Sequence, residues 1–223
     1  MSDIYFFVHI PRTAGSTVRD ALFYSFLENQ IYQINGWSEA QFLEEAYAIK
    51  KKVTENMPKC IMGHFDIFIN DFFNFDDKKV KYITFIREPI ARVVSLYKFM
   101  KLSNKFNLKD MNFSDFIRMP KWREDLSNVQ ARYLGYHDIN NITNYKLIDL
   151  LSSKKLILGF TDDMQQAKKK LSEELKINVN FKHLNNTIAD DRFVISDEDL
   201  VYLYQLNQLD LHMYSFLKKN YSK

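Results

Sequence analysis

Residues 4–17 read IYFFVHIPRTAGST, and this stretch decides how the chain begins to fold. Its first part, Ile4–Ile10, is a run of aromatic and β-branched side chains, which is typical of a strand covered on both faces in a parallel sheet. Pro11 ends the strand because proline lacks the N–H group that a central strand needs. After Gly15 the apolar residues recur at steps of three and four, which predicts a helix. These residues are Val18, Leu22, Phe23 and Phe26.

The same alternation of strand and helix continues along the chain. Three further strands are predicted at Cys60–Met62, Val80–Ile86 and Lys155–Phe160. Three further helices are predicted from Pro89 to about Lys101, from a cap region at Thr161–Met164 through Leu175, and from a Ser196 cap through Leu211. Such alternation predicts an α/β fold, in which a central parallel sheet is flanked by helices on both sides.

Two segments have a less regular pattern. The aromatic stretch Phe65–Phe75 is predicted as loop with short helical turns, and its rings are either core or the wall of an acceptor cleft. Residues Asn112–Gly135 are predicted to form two helices that are broken near Pro120, because proline cannot continue a helix interior.

Composition excludes several classes of protein. The 223 residues include 31 Lys+Arg and 28 Asp+Glu, a net charge of +3, which is too small for a polybasic nucleic-acid arm. The single cysteine excludes a disulfide framework and a Cys-only zinc cluster. The apolar run Ile4–Ile10 is too short to cross a bilayer and lacks the features of a signal peptide. We therefore expect one domain over residues 1–223, a cytoplasmic location, no transmembrane segment and no nucleic-acid partner.

The turn after the first strand is a candidate phosphate-binding loop. Ala14 and Gly15 leave room for an anion to approach the free N–H groups at the start of the helix. Ser16 and Thr17 add hydroxyl donors, and the Arg12 guanidinium can bridge phosphate oxygens. An ordinary strand-to-helix turn with a serine cap is the alternative interpretation.

The loop differs from that of nucleoside-triphosphate enzymes. A Walker A loop needs a lysine after its last glycine, and no lysine follows Gly15. The strand Val80–Ile86 ends in Arg87, where a magnesium-binding enzyme would place an aspartate. This pattern predicts a site without a metal. Arg87 and Ser95, eight residues apart, could hold a second phosphate, whereas Glu88 and Arg92 are predicted to form a structural ion pair.

Among the histidines, His64 has the setting of a general base. It follows a short strand and a glycine, at the same sheet edge as the candidate loop. A neutral imidazole can accept a hydroxyl proton near pH 7. His9 is expected to fix either the turn or the end of the strand, and Cys60 is expected to be a buried thiol without a nucleophilic role.

Taken together, these motifs resemble the sulfotransferases that use 3′-phosphoadenosine 5′-phosphosulfate (PAPS). Residues 9–17 resemble their 5′-phosphosulfate loop, and residues 84–97 resemble their 3′-phosphate motif with the same Arg-to-Ser spacing. Residues 62–65 are similar to the segment that carries the catalytic histidine of heparan sulfate 2-O-sulfotransferase and its bacterial relatives. Residues 128–134 resemble a further recurring segment of that group, and residues 158–161 and 184–187 occur in the expected order.

The resemblance implies a P-loop nucleotide-kinase-like α/β fold of three layers and transfer of a sulfuryl group from PAPS to an acceptor hydroxyl, expected on a carbohydrate, with 3′-phosphoadenosine 5′-phosphate (PAP) as the product. It implies that Arg87 and Ser95 hold the 3′-phosphate and that His64 is the general base, without a metal. The residues that it implies for the 5′-phosphosulfate are Arg12, Thr13, Ala14, Gly15, Ser16 and Thr17.

Two positions depart from the family pattern: Arg12 replaces the usual lysine, and Met62 replaces a second histidine of the 2-O-sulfotransferase. The alternatives are a nucleotide-dependent kinase or phosphotransferase of similar fold and a non-catalytic nucleotide-binding relative. The oligomeric state stays open.

Overall fold

The structure is a computed structural model, and it describes residues 3–36, 38–54, 56–103, 106, 108, 110–136, 145–181 and 194–221. Its centre is a sheet of five strands in which every neighbouring pair is parallel. The strands are β1 (Ile4–Val8), β2 (Ile31–Ile34), β3 (Cys60–Gly63), β4 (Val80–Ile86) and β5 (Leu156–Phe160). Their spatial order is β2-β3-β1-β4-β5, so the first strand lies at the centre.

Helices connect the strands. The first four are α1 (Gly15–Ser25), α2 (Glu39–Lys52), α3 (Ile69–Phe73) and α4 (Pro89–Leu102). Between β4 and β5 follow α5 (Phe113–Arg118), α6 (Arg123–Leu126), α7 (Val129–Tyr133) and α8 (Tyr145–Ser152). The last three are α9 (Met164–Leu175), α10 (Asp197–Leu206) and α11 (Gln208–Tyr221). Short 3-10 turns lie at Glu28–Gln30 and Pro120–Trp122.

Alternate residues of the central strand separate two layers of core. Phe6 and Val8 of β1 pack in a cluster that includes residues of α2, α7, α8 and α11. Tyr5 and Phe7 face the opposite side and pack with residues of α1 and α9. Side chains alternate between the faces of a strand, so a strand that is buried throughout must be covered on both sides. The predicted three-layer α/β fold is thereby confirmed.

A third cluster of buried residues joins helices at one end of the molecule. It contains Val93 of α4, Phe116 of α5, Leu126 of α6 and Leu203 of α10, all of them at most 1% exposed. This cluster positions α4, which carries the candidate binding residue Ser95 and begins two residues after Arg87. Within the part of the chain that the structure describes, no helix has the length and apolar character needed to cross a membrane.

Several sequence predictions need correction. The edge strand β2 and the helix α2 were not predicted. The first strand ends at Val8 instead of Ile10, because the Ile10 carbonyl already accepts a hydrogen bond from Thr13 Oγ1 in the following turn. Residues 112–135 form short helical pieces on both sides of the predicted break at Pro120, in place of two helices.

The final helical segment also differs from the prediction. Ser196 caps α10 as predicted, since its Oγ accepts a hydrogen bond from the Asp199 N–H. The helix then breaks at Asn207, whose side-chain carbonyl accepts a hydrogen bond from the Asn128 N–H. A contact between residues so distant in sequence could not be recognised from the leucine spacing alone.

Candidate active site

The turn between β1 and α1 is backbone-strained and leads directly into the helix. Arg12 and Ala14 both have positive φ angles, 69° and 64°, which residues other than glycine rarely adopt. Helix α1 begins at Gly15, and no side chain caps its N-terminus. The serine cap considered for Ser16 is therefore wrong. The start of a helix presents N–H groups that have no partner within the helix, which is the arrangement that binds an anion at a helix N-terminus.

Gly15 allows this turn to pack against His9. A Cβ atom at position 15 would overlap Cδ2 and Nε2 of the His9 imidazole. His9 therefore contacts the start of α1 only because the glycine has no side chain. The His9 ring therefore contacts the turn, and its effect on stability stays a prediction.

Arg12 and Ser95 lie together at the end of the central strands. Nε and Nη2 of Arg12 donate hydrogen bonds of 3.3 and 3.2 Å to Ser95 Oγ on α4. The guanidinium also lies 4.5 Å from the centre of the Phe99 ring, one turn further along α4. Burial lowers the pKa of Arg12, and the nearby charge of Arg87 lowers it further. Two positive groups and a hydroxyl are thus gathered in one place.

The backbone of Arg87 is held by the side chain of Gln130. The Arg87 N–H donates a hydrogen bond of 2.8 Å to Oε1 of Gln130, and Nε2 of Gln130 donates one of 2.8 Å to the Arg87 carbonyl. Gln130 is fully buried. Sequence reasoning does not reveal this role of Gln130, although residues 128–134 resemble a recurring segment of the family. The sequence signal was an amide residue between the apolar residues Val129 and Ala131.

His64 has the hydrogen bonding of a neutral base. Its Nδ1 lies 2.7 Å from the carbonyl oxygen of His9. A carbonyl oxygen can only accept, so Nδ1 carries the proton and Nε2 is the basic nitrogen. The two imidazole rings stack with 4.3 Å between their centres. Burial is the main cause that lowers the pKa of His64, and it lowers that of His9 to about 3, so both rings are neutral near pH 7.

A small polar cavity of about 100 Å³ adjoins His64 on the side of strands β2 and β3. Phe7, Met62 and Gln33 line it from adjacent positions on β1, β3 and β2, as their strand register shows. Arg19 of α1 and Asn35 are also among its lining residues. Arg12 and Ser95 are absent from the lining, and they connect the β1 turn to the helix that follows β4. Met62, one of the two departures from the family pattern, therefore contributes to this cavity.

The predicted ion pair between Glu88 and Arg92 is wrong. Both carboxylate oxygens of Glu88 cap α4 by accepting hydrogen bonds from the N–H groups of Ile90 and Ala91. Arg92 is 1% exposed and donates from Nη2 to the Asp125 carbonyl. Burial lowers the pKa of Arg92 to about 10. Helix capping uses the glutamate, whereas the arginine is buried and bonds to the segment around Asp125.

Cys60, Phe65 and Phe73 lie in the core and are not part of the site. Cys60 is fully buried, and burial raises the pKa of its thiol to about 12, as expected for an unreactive cysteine. In the aromatic stretch, Phe65 and Phe73 pack in the core with Phe6. Across the described ranges, no group of three or more His, Cys, Asp or Glu side chains could hold a metal ion. The resembling segment at residues 184–187 lies outside the described residues.

Comparison with known proteins assigns the family. The model of the sulfotransferase family matches residues 3–217. The chain therefore belongs to the sulfotransferase family. Among curated proteins, no match to the chain is found.

Two solved structures are among those to which the chain is similar. Mouse sulfotransferase SULT7A1 complexed with PAP is 12% identical, with a TM-score of 0.48, over 92% of this chain and 64% of that one. Retinol dehydratase in complex with androsterone and the inactive cofactor PAP is 12% identical, with a TM-score of 0.37, over 90% of this chain and 63% of that one. The chain spans just under two thirds of the length of either structure.

Proposed function

We propose that this protein transfers a sulfuryl group from PAPS to an acceptor hydroxyl. The observation that carries the proposal is the convergence of Arg12, Arg87 and Ser95 beside the uncapped start of α1. Two guanidinium groups and a helix N-terminus suit a ligand with phosphate groups at both ends. Membership of the sulfotransferase family supports PAPS as that ligand.

In this proposal the two ends of the nucleotide are held by different elements. The Thr13–Thr17 loop and Arg12 bind the 5′-phosphosulfate through backbone N–H groups, hydroxyls and the guanidinium. Arg87 and Ser95 bind the 3′-phosphate. The bound PAPS supplies the sulfuryl group.

His64 is the general base of the proposed reaction. Its Nε2 accepts the proton of the acceptor hydroxyl, while the His9 carbonyl keeps Nδ1 protonated and the ring oriented. Arg12 and the N–H groups of α1 stabilise the charge that develops on the departing phosphate oxygen. An arginine keeps its proton at all relevant pH values, so Arg12 acts by charge and hydrogen bonding alone.

The acceptor in this proposal is a carbohydrate hydroxyl. The cavity beside His64 supports this choice because Arg19, Gln33 and Asn35 offer several hydrogen-bonding groups. A hydroxyl group that enters this cavity can replace its hydrogen bonds to water with hydrogen bonds to these side chains. The cytoplasmic location and the single domain remain predictions.

Nucleotide binding is the first test. Thermal-shift measurements should show stabilisation by PAP without a metal, because a ligand that binds only the folded state raises the melting temperature. ATP with Mg²⁺ is the comparison that represents a kinase. Stabilisation by ATP with Mg²⁺ alone would reject the proposal.

Sulfuryl transfer is the second test. Incubation with ³⁵S-labelled PAPS and a panel of carbohydrates, phenols, lipids and tyrosine peptides should yield a labelled carbohydrate. Labelling of another class would keep the sulfotransferase activity and correct the acceptor. PAP binding without transfer to any acceptor would instead favour the non-catalytic alternative.

A further inference from the structure

Arg87 leaves the sheet at a point where its backbone has lost its strand partners. The pairing of β4 with β5 ends at Ile86 and Phe160. One residue later, the side-chain amide of Gln130 bonds to both the N–H and the C=O of Arg87, each at 2.8 Å. The amide thus continues the hydrogen bonding of the sheet by one residue and determines where the Arg87 side chain begins.

Gln130 is itself held from the last helix of the chain. Its backbone N–H and that of Ala131 donate to the two carboxylate oxygens of Asp210, at 3.2 and 2.6 Å. Asp210 is fully buried on α11, and the charge of the buried Arg92 acts on it. The start of α7 is therefore clamped, which leaves the Gln130 amide little freedom to turn.

The Arg87 guanidinium has a different environment from its backbone. Across the part of the chain that the structure describes, no carboxylate or carbonyl accepts a hydrogen bond from it. It lies near the Arg12 guanidinium, which is bonded to Ser95. The charge of the Glu88 carboxylate also acts on Arg87. A backbone held in place that carries a cation without a hydrogen-bonded acceptor among the described residues is the arrangement expected of a preorganised anion contact.

We infer that Gln130 is a positioning residue that sets the preference of this protein for 3′-phosphorylated nucleotides. The inference rests on the proposed function, because it requires Arg87 to contact the 3′-phosphate. Gln130 contacts no ligand; it acts by fixing the backbone from which the Arg87 guanidinium reaches the phosphate. Loss of either hydrogen bond lets Arg87 move and weakens the contact with the 3′-phosphate more than other contacts with the nucleotide.

The chain offers a matched control at Asn70. This buried amide makes the same pair of bonds to Phe75, since Oδ1 accepts from the Phe75 N–H and Nδ2 donates to the Phe75 carbonyl, both at 3.1 Å. Nδ2 also donates to Oδ1 of Asp77 at 2.7 Å, so substitution at Asn70 removes one hydrogen bond more than substitution at Gln130 removes from Arg87. Asn70 lies on α3, and neither it nor Phe75 belongs to the candidate site. Substitution at Asn70 reproduces the structural cost of losing a buried amide without touching Arg87.

The experiment compares the Kd values of PAP and of 5′-AMP, which lacks the 3′-phosphate, in wild type, Gln130→Met and Asn70→Leu. Both variants are expected to melt at lower temperature than wild type. Gln130→Met should lower the preference for PAP over 5′-AMP about tenfold, the effect of one charged hydrogen bond. Asn70→Leu should leave that preference within about twofold of wild type.

A second variant keeps the test decisive if Gln130→Met does not fold. In Gln130→Glu the shape is retained, but an ionised carboxylate cannot donate to the Arg87 carbonyl. A protonated carboxyl can both donate and accept, so the PAP preference of this variant, relative to wild type at the same pH, should recover as the pH falls. The Asn70→Asp variant should show no such recovery.

The outcomes separate this inference from the function on which it rests. If wild type does not bind PAP, the proposed function fails. If wild type binds PAP but the Gln130 variants keep its full preference over 5′-AMP, the inference alone is overturned. It is also overturned if the Asn70 variants lose the preference to the same extent.

Discussion

Nδ1 of His64 donates a hydrogen bond to the backbone carbonyl of His9 at 2.7 Å, and the two imidazoles stack. His9, which follows the end of β1, therefore orients His64, which follows the end of β3. The same His9 ring packs against Gly15, where the proposed phosphate loop becomes α1. The candidate base and the candidate phosphate loop are thus joined through a single side chain.

The first prediction concerns His64 as the base. Replacement His64→Ala should lower turnover about 10²–10⁴-fold, because that is the usual contribution of one positioned general base. PAP affinity should change little, since the imidazole is not assigned to the nucleotide. The measurement is transfer of label from PAPS to the acceptor found by screening. His212→Ala is the control because His212 is exposed on α11, and turnover equal to wild type in His64→Ala would assign the base to another group.

The pH profile gives an independent check of the same residue. Burial lowers the pKa of His64, so the imidazole stays neutral to a lower pH than an ordinary histidine. The value of kcat/KM should therefore stay constant as the pH falls to about 6.5, the ordinary pKa of an imidazole. It should decline only at lower pH. A decline that begins above pH 6.5 would contradict the assignment.

The second prediction concerns the phosphate ends of the nucleotide. Arg87→Ala should weaken PAP binding about 10–100-fold, the range expected for a charge-assisted hydrogen bond. Binding of adenosine 5′-phosphosulfate, which lacks the 3′-phosphate, should change far less. Isothermal titration calorimetry of both ligands measures the difference, and Arg123→Ala on the exposed surface of α6 serves as the control. An equal loss for both ligands would refute the assigned role of Arg87.

The third prediction tests the packing of Gly15 on His9. Gly15→Ala should destabilise the folded state by about 1–3 kcal/mol, because the added methyl group overlaps the imidazole. In a His9→Ala background the same change should cost much less. A double-mutant cycle in urea unfolding measures this coupling. Additive effects of the two substitutions would show that the contact is unimportant.

The fourth prediction concerns stability and pH. Burial lowers the pKa of His9 to about 3 from an ordinary value of 6.5. Between these values the unfolded chain binds a proton that the folded chain does not, so the free energy of unfolding decreases as the pH falls. The slope from this one group approaches about 1.4 kcal/mol per pH unit.

Replacement His9→Phe should remove this contribution while retaining a ring beside Gly15. Urea unfolding of wild type and variant between pH 7 and pH 4 measures this contribution. The carboxylates titrate in both proteins, so their effect cancels in the difference between the two free energies of unfolding. Parallel pH dependences of the two proteins would mean that His9 does not stay neutral in the folded state.

Much of the fold was predictable from local pattern. The run Ile4–Val8 is apolar throughout because β1 is covered on both faces, and Val80–Ile86 has the same character. Pro89 begins α4 and Ser196 caps α10, as their intrinsic preferences predict. The edge strand Ile31–Ile34 escaped prediction because it has only four residues and is buried only in part.

The candidate site was predictable in its residues but not in their contacts. The order of the strands brings Arg12, His64 and Arg87 to one edge, as the rule for open parallel sheets predicts. Sequence spacing placed Ser95 with a second phosphate, separate from the loop, whereas the structure bonds Ser95 to Arg12. It also paired Arg92 with Glu88, although Arg92 is buried and bonds to the Asp125 carbonyl.

The sequence by itself determined the alternation of strand and helix, the turn chemistry at Gly15 and the family to which the chain belongs. These features depend on residues close together in the sequence. Their types and spacing are enough to predict a strand, a helix or a helix cap. Only the tertiary structure decided that Gln130 holds Arg87, 43 positions away, and that Asp210 holds Ala131, 79 positions away. Such bonds follow from how distant elements pack, and no local pattern of side chains encodes that geometry.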